Sequence, residues 1–189
     1  MGATIAPTLV GVNPPRAGRK SRQPDRKGEQ PMPQPFTFRV PDGDLEDLRA
    51  RLARTRFPDS APGEPWAYGT DVDYLRSLTA YWRDKFDWRA QEARLNAFPQ
   101  FRMSGPDTDL HFLHVPGKGA NPTPLLLMHG WPGSVFEFID FIPRLTDPTR
   151  FGGDPADSFT VVAPSLPGYG LSFRPGQKRF GVEDMADTM

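Results

Sequence analysis

The tetrapeptide His129-Gly130-Trp131-Pro132 is the segment best suited to chemistry. It follows the apolar run Leu125–Met128, which reads as a strand buried on both faces. Open α/β sheets bind ligands beyond the carboxyl ends of their strands. Gly130 permits a tight turn there, one that leaves the Trp131 amide N–H unpaired and aimed into a cleft. An aimed backbone donor is what an oxyanion hole requires, and losing one costs about 10²–10³ in rate. The same residues also fit an ordinary strand-to-helix loop. A second turn, Pro164-Ser165-Leu166-Pro167-Gly168-Tyr169-Gly170-Leu171-Ser172, follows the apolar run Phe159–Ala163. It is crowded with turn formers, Gly168, Tyr169 and Gly170 at its centre, and by itself reads as a structural crossover. Two such turns, each after a strand and one helix apart, are more specific together than either alone.

Other chemistries find little support. His111 and His114 lie at odd spacing on one strand, so they face opposite sides and form no pair. His129 belongs to the turn, where a structural role is favoured. The chain has no cysteine, which excludes disulfides, zinc–thiolate sites and thiol catalysis. No G-x-S-x-G elbow is present, and His, Asp and Glu do not cluster at metal-ligand spacing. No cofactor and no metal are expected. The formal net charge is +0, so electrostatics gives no reason to expect nucleic acid as a partner. No apolar run approaches the roughly 18 residues of a membrane span. The start lacks a basic n-region, Pro7 interrupts it, and Ala6 stands where a myristoylation signal wants Ser or Thr. A cytoplasmic protein without a membrane anchor is the expectation. Nothing in the pattern specifies an oligomer.

The elements that must position these turns fall into three stretches. Residues 1–35, rich in Pro, Gly, Arg and Lys, are expected to be a disordered tail. Its basic cluster Arg16, Arg19, Lys20, Arg22, Arg26 and Lys27 reads as solvated more readily than as a nucleic-acid contact. Residues 36–97 read as a helical meander. Phe36–Val40 is extended and Pro41-Asp42-Gly43 turns. Asp44 then caps a helix with Leu45, Leu48 and Leu52 on one face, ended by Pro58. The loop Asp59–Thr70 should wrap something, because it carries Trp66 and Tyr68. A second helix starts after Asp71, with Tyr74, Leu75, Leu78, Tyr81, Trp82 and Phe86 as a core stripe. Trp88–Asn96 is a third. Residues 98–189 read as an α/β sheet. Phe98–Met103 and Leu110–Val115 form a hairpin about Ser104–Asp107. Next comes the Leu125–Met128 strand. A helix capped by Ser134 buries Phe138, Phe141, Ile142 and Leu145. The strand Phe159–Ala163 follows, and Gly181–Met189 reads as the first turns of another helix.

The paired turns resemble the α/β-hydrolase fold, in its epoxide hydrolase and haloalkane dehalogenase branches. Phe57-Pro58, Trp66 with Tyr68-Gly69, Asp73-Tyr74-Leu75, Tyr81-Trp82, Phe86–Asn96 and Phe98-Pro99-Gln100-Phe101 resemble the N-terminal domain of microsomal-type epoxide hydrolases. The resemblance runs from about Pro35 to the end. It implies an α/β fold in which an N-terminal helical meander precedes the first strands and first helix of an incomplete hydrolase sheet. It implies that Trp131 supplies one oxyanion-hole amide, that the Trp131–Pro132 bond is cis, and that Phe57, Trp66, Tyr68, Trp82 and Trp88 are packing residues. The implied reaction is hydrolysis of a small apolar epoxide to a vicinal diol. An Asp carboxylate attacks to give an ester, a His oriented by Asp or Glu activates water, and lid tyrosines donate to the epoxide oxygen. No residue here matches that nucleophile, base or lid. The chain ends at Met189, before the strand that carries the nucleophile in the family, so a truncated and inactive form is expected. Two alternatives stand beside this reading. One is another α/β-hydrolase, a dehalogenase or esterase, against which the meander argues. The other is a non-catalytic interaction module, since a half-sheet exposes an edge and an apolar face.

Overall fold

In the computed structural model the described residues are 32–189. The tail expectation, including its basic cluster, lies outside them except for residues 32–35. There the chain is already paired: Gln34–Pro35 forms a short strand, β1.

The meander is built from locally encoded helices. Helix α1 spans Asp42–Ala53 and begins at Pro41, whose fixed φ of −55° leads into the first turn. Asp44 is therefore not the cap expected of it. It lies with Asp42 inside the first turn, where a carboxylate complements the N-terminal dipole. The helix stops at Ala53, before Pro58. Helix α2, Val72–Asp84, is capped by Asp71, whose carboxylate accepts the Tyr74 N–H at 2.9 Å. Helix α3, Trp88–Asn96, is capped by Asp87 in the same way, through the Ala90 N–H at 2.9 Å.

The expected core stripe of α2 is largely uncovered among the described residues, with only Leu75 and the following Phe86 half-buried. Tyr74, Leu78, Tyr81 and Trp82 are all exposed, and no residue of α2 is buried. The loop before it wraps nothing described: Trp66 is 56% and Tyr68 80% exposed. The Trp66 ring rests against Tyr74, centroids 5.0 Å apart. Of the residues assigned to packing, Phe57 and Trp88 are half-buried. Arg76 lies over the Phe57 ring, and the Trp88 indole donates to Glu92 at 3.0 Å.

Helix α3 carries the attachment to the sheet. Its buried Glu92 accepts from the Val40 N–H at 2.7 Å and from Arg89 at 2.6 Å. Burial opposes charge on this carboxyl. The Val40 amide, Arg89 and the Trp88 indole outweigh it and hold the group below the usual carboxylate range. Asn96 clasps the extended segment reciprocally, accepting the Phe38 N–H at 2.9 Å and donating to its carbonyl at 2.8 Å.

The remaining strands are β2 Gln100–Ser104, β3 Asp109–Val115, β4 Thr123–Leu126 and β5 Phe159–Pro164, in the order β1-β2-β3-β5-β4. The β2–β3 hairpin pairs Gln100 with Leu113 through to Ser104 with Asp109 about the expected turn. β3 and β5 are antiparallel, whereas β4 and β5 are parallel with Leu125 opposite Val161. That parallel pair delivers both turns to the same end of the sheet. Leu95, Leu113, Val135, Ile139, Ile142, Val161 and Ala163 form the core.

Two expectations about this half are corrected. β4 is not buried on both faces, since Leu126 and Met128 are exposed, and it is the last strand of the sheet among the described residues. Pro124 within β4 fits an edge position, since proline cannot donate to a second neighbour. The helix after Ser134 is not continuous. Ser134 does cap, but a 3₁₀ turn, Val135–Phe138, and helix α4 runs separately over Ile142–Thr146. Pro143 has no N–H for the carbonyl one turn back and its ring crowds that turn, so a single α-helix cannot pass through it. Phe141 is left half exposed at the break while Ile142 is fully buried. Helix α5, Val182–Thr188, follows as expected. No helix of the described residues is long and apolar enough to cross a membrane.

Candidate oxyanion site

β4 hands its last pairing contact to Leu127, whose N–H donates to Val162 O at 2.9 Å. The chain then turns at His129. This side chain is 4% exposed, and both ring nitrogens are engaged. Nε2 accepts the Leu166 N–H at 3.1 Å, and Nδ1 lies 3.0 Å from Gly130 O. An amide can only donate, so Nε2 carries no proton and the neutral ring donates from Nδ1. The imidazole meets the Tyr169 ring edge-to-face, centroids 5.7 Å apart at 68°. His129 therefore fastens the first turn to the second.

The Trp131–Pro132 bond is cis. The Trp131 N–H donates to no described residue, and its indole is 81% exposed. The expected cleft is not closed by the described residues. Nor does a tight approach demand Gly130, since a Cβ there would meet nothing within 4 Å. The demand falls on Gly133, whose Cβ would collide with the Glu137 carboxylate and lie 2.8 Å from Gly130 O. Glu137 must be there because it accepts the Ser134 N–H at 2.9 Å, while Ser134 Oγ accepts the Phe136 N–H at 3.2 Å. That reciprocal cap sets the direction in which the chain leaves Pro132.

The second turn is held by its own backbone. Gly168 N–H donates to Ser172 O at 2.8 Å, Tyr169 N–H to Leu166 O at 2.8 Å, and Ser172 N–H to Tyr169 O at 2.9 Å. Gly168 at φ +87° and Gly170 at φ +48° occupy the left-handed region, where side chains are strained. Of the seven motif positions singled out, the structure brings His129 and Tyr169 into contact. Gly130, Trp131 and Pro132 lie beside them in the first turn, and Gly168 and Gly170 shape the second.

Behind the turns lies a histidine that sequence reasoning set aside. His111 is fully buried. Its ring nitrogens meet Ser165 Oγ at 2.9 Å and Gln100 Oε1 at 3.0 Å. Its N–H donates to Ser172 Oγ at 2.8 Å, and its carbonyl accepts the Ser165 N–H at 2.9 Å. Burial, and secondarily the positive Arg102, push its pKa down to about 4, so the ring is neutral near pH 7. His111 and His114 indeed make no pair: His114 lies against Phe101 instead. No local signal points from His111 to Ser165 or from His129 to Leu166, because the partners are 54 and 37 residues away. Among the described residues no group of three or more His, Asp or Glu side chains converges to hold a metal ion.

Comparison with known proteins shows the family of the chain. The family model "Epoxide hydrolase N terminus" matches residues 33–138, and "alpha/beta hydrolase fold" matches 123–189. The chain is 47% identical over 152 residues to a Stigmatella aurantiaca protein assigned to the epoxide hydrolases, covering 80% of this chain and 34% of that one. It is 40% identical over 150 residues to epoxide hydrolase 1 of Oryctolagus cuniculus, covering 77% and 33%. It thus spans about a third of the length of these curated relatives. The solved epoxide hydrolase of Aspergillus niger superposes with a TM-score of 0.70 at 33% identity, covering 85% of this chain and 43% of that one. The juvenile hormone epoxide hydrolase of Bombyx mori gives 0.70 at 31%, covering 83% and 38%.

Proposed function

The chain belongs to the epoxide hydrolase family of the α/β-hydrolase fold, and from that premise we propose that its first turn supplies one oxyanion-hole donor, the Trp131 N–H, for hydrolysis of a small apolar epoxide. The single observation that carries the reading is an unpaired amide at the carboxyl end of β4, held beside the turn that leaves β5. In the proposed reaction an aspartate carboxylate attacks an epoxide carbon, the C–O bond breaks, and the released oxygen takes a proton. Water then adds to the resulting ester. The carbonyl oxygen of that ester becomes an oxyanion, and the Trp131 N–H donates to it until the diol leaves and the carboxylate returns. A preorganised donor is worth more there than in water because it need not reorient as charge develops.

Residues 1–189 contain no match to the nucleophile, the base or the lid tyrosines, so the proposed role of this portion is to scaffold the site and to donate. The apolar face of α2 suits that role as a surface on which further parts of the family fold pack. The expectation is that the purified 189-residue chain forms no diol from an aryl epoxide above background. Turnover through an ester on one of its own carboxylates would overturn this. The donor itself is tested by grafting residues 123–172 in place of the matching segment of the Aspergillus niger epoxide hydrolase and replacing tryptophan 131 by its α-hydroxy analogue. This converts the N–H to an ester oxygen. A fall in kcat of about 10²–10³ is expected. An unchanged kcat in the folded chimera excludes Trp131 as a donor.

A further inference from the structure

We propose that Gln100 and His111 are positioning residues, which transmit the placement of α3 to the Trp131 turn through a buried hydrogen-bond relay ending at His129. The inference rests on the Trp131 reading for its functional meaning. The relay itself is a matter of geometry.

The relay has an unambiguous origin. The Phe38 backbone donates its N–H to Asn96 Oδ1 and accepts from Asn96 Nδ2, which fixes how that amide points. Asn96 Oδ1 also accepts from Gln100 Nε2 at 2.7 Å, and the same nitrogen lies 3.3 Å from Leu95 O. The Gln100 nitrogen is thus spent on acceptors, and its Oε1 can only accept. His111 must then donate from Nε2 to Gln100 and accept at Nδ1 from the Ser165 hydroxyl. Ser165 is gripped a second time through its N–H on His111 O. The next residue, Leu166, presents its N–H to His129 Nε2. His129 closes the chain through Nδ1 on Gly130 O, one residue before the Trp131 amide.

Every side chain from Gln100 to His129 along this path is nearly out of solvent: Gln100, His111, Ser165 and His129 are all buried. Water cannot substitute for a missing partner, so each member is held to one orientation. The two histidines are consequently locked in opposite tautomers, His111 protonated at Nε2 and His129 at Nδ1. The basicity of His111, depressed by burial and by Arg102, keeps the ring to a single proton near pH 7, as this arrangement requires.

The test uses the 189-residue chain labelled with 15N-histidine, read by two-bond 1H–15N correlation at pH 7. The wild type is expected to show the two opposite tautomers. Finding both histidines in the same tautomer overturns the relay without recourse to any variant. Ser165→Ala and Gln100→Leu are each expected to lower the Nδ1–H population of His129 and to speed Leu166 amide exchange about tenfold. Gln100→Glu keeps the acceptor for His111 but sets a carboxylate oxygen against Asn96 Oδ1 and Leu95 O, so it is expected to disturb the His129 signature as Gln100→Leu does. Ile142→Val perturbs the core away from the relay and is expected to leave both readouts alone. Unchanged His129 and Leu166 signals in folded Ser165→Ala refute the coupling. Failure of the oxyanion reading shows up instead as an unchanged kcat in the grafted enzyme, so the two outcomes are separable.

Discussion

Helices α2 and α3 are separated by three residues in the chain and end in opposite environments. α2 carries the broad aromatic stripe, Tyr74, Leu78, Tyr81 and Trp82, and none of it is buried. α3 is mostly polar and charged, yet it buries Glu92 and Leu95 and anchors the first segment through Asn96. Apolar character states what a helix gains from being covered. It does not supply the cover. α3 is anchored where Leu95 enters the apolar core and where backbone groups with fixed directions, at Phe38 and Val40, meet Asn96 and Glu92. Apolar contact is non-directional, and α2 waits for whatever surface the fold brings to it.

The contrast can be broken by mutation. Leu113→Ala, in the sheet interior, should cost about 2–5 kcal/mol in a denaturant melt, through lost burial plus a cavity. A smaller loss leaves the interior no better packed than α2. Glu92→Ala strands the Val40 N–H and the Trp88 indole N–H and takes one of its partners from Arg89, and about 1.5–3 kcal/mol is expected. Stability unchanged by this variant means that α3 is held by apolar contact alone.

Acid should sharpen the same difference. His111 has its pKa lowered to about 4 by burial and by Arg102, from 6.5. Between those values the unfolded chain takes up a proton that the folded chain refuses. Stability is therefore full above pH 6.5 and falls as the pH drops toward 4, by at most about 1.4 kcal/mol per pH unit. Melts of wild type and His111→Gln across this window should show the steeper slope in the former, because the carboxylate contribution, that of Glu92 included, is common to both. The smallest effect is reserved for α2: Tyr81→Ser in the 189-residue chain should change stability by no more than about 0.5 kcal/mol. A large loss there means that the stripe is covered in solution.

The parts legible in the sequence share one property, locality. Asp71, Asp87 and Ser134 each cap the element three residues or fewer ahead, and the Ser104–Asp107 turn closes a hairpin on adjacent strands. Some errors lie where a distant neighbour decides, and others, Asp44 as a cap and a helix through Pro143, pass over a local sign. β4 was expected to be buried because Leu125–Met128 is apolar, whereas sheet order makes it an edge. Pro124 was the local sign of it. Periodicity carried the helix from Ser134 through Leu145, although Pro143 marks the break. At the site, the sequence marks the two turns and His129 within the first, but it gives His111 no role. What joins the turns was not legible, because a hydrogen bond across 37 residues leaves no pattern in the intervening chain. The glycine requirement was likewise placed at Gly130, while Glu137 puts it at Gly133.

His129 ties the two turns together. A through-hydrogen-bond 15N–15N coupling experiment on the 189-residue chain reads that bond directly. The expected result is a resolved coupling between the Leu166 amide nitrogen and His129 Nε2, with the ring proton on Nδ1. No coupling, with His129 protonated at Nε2, would contradict it.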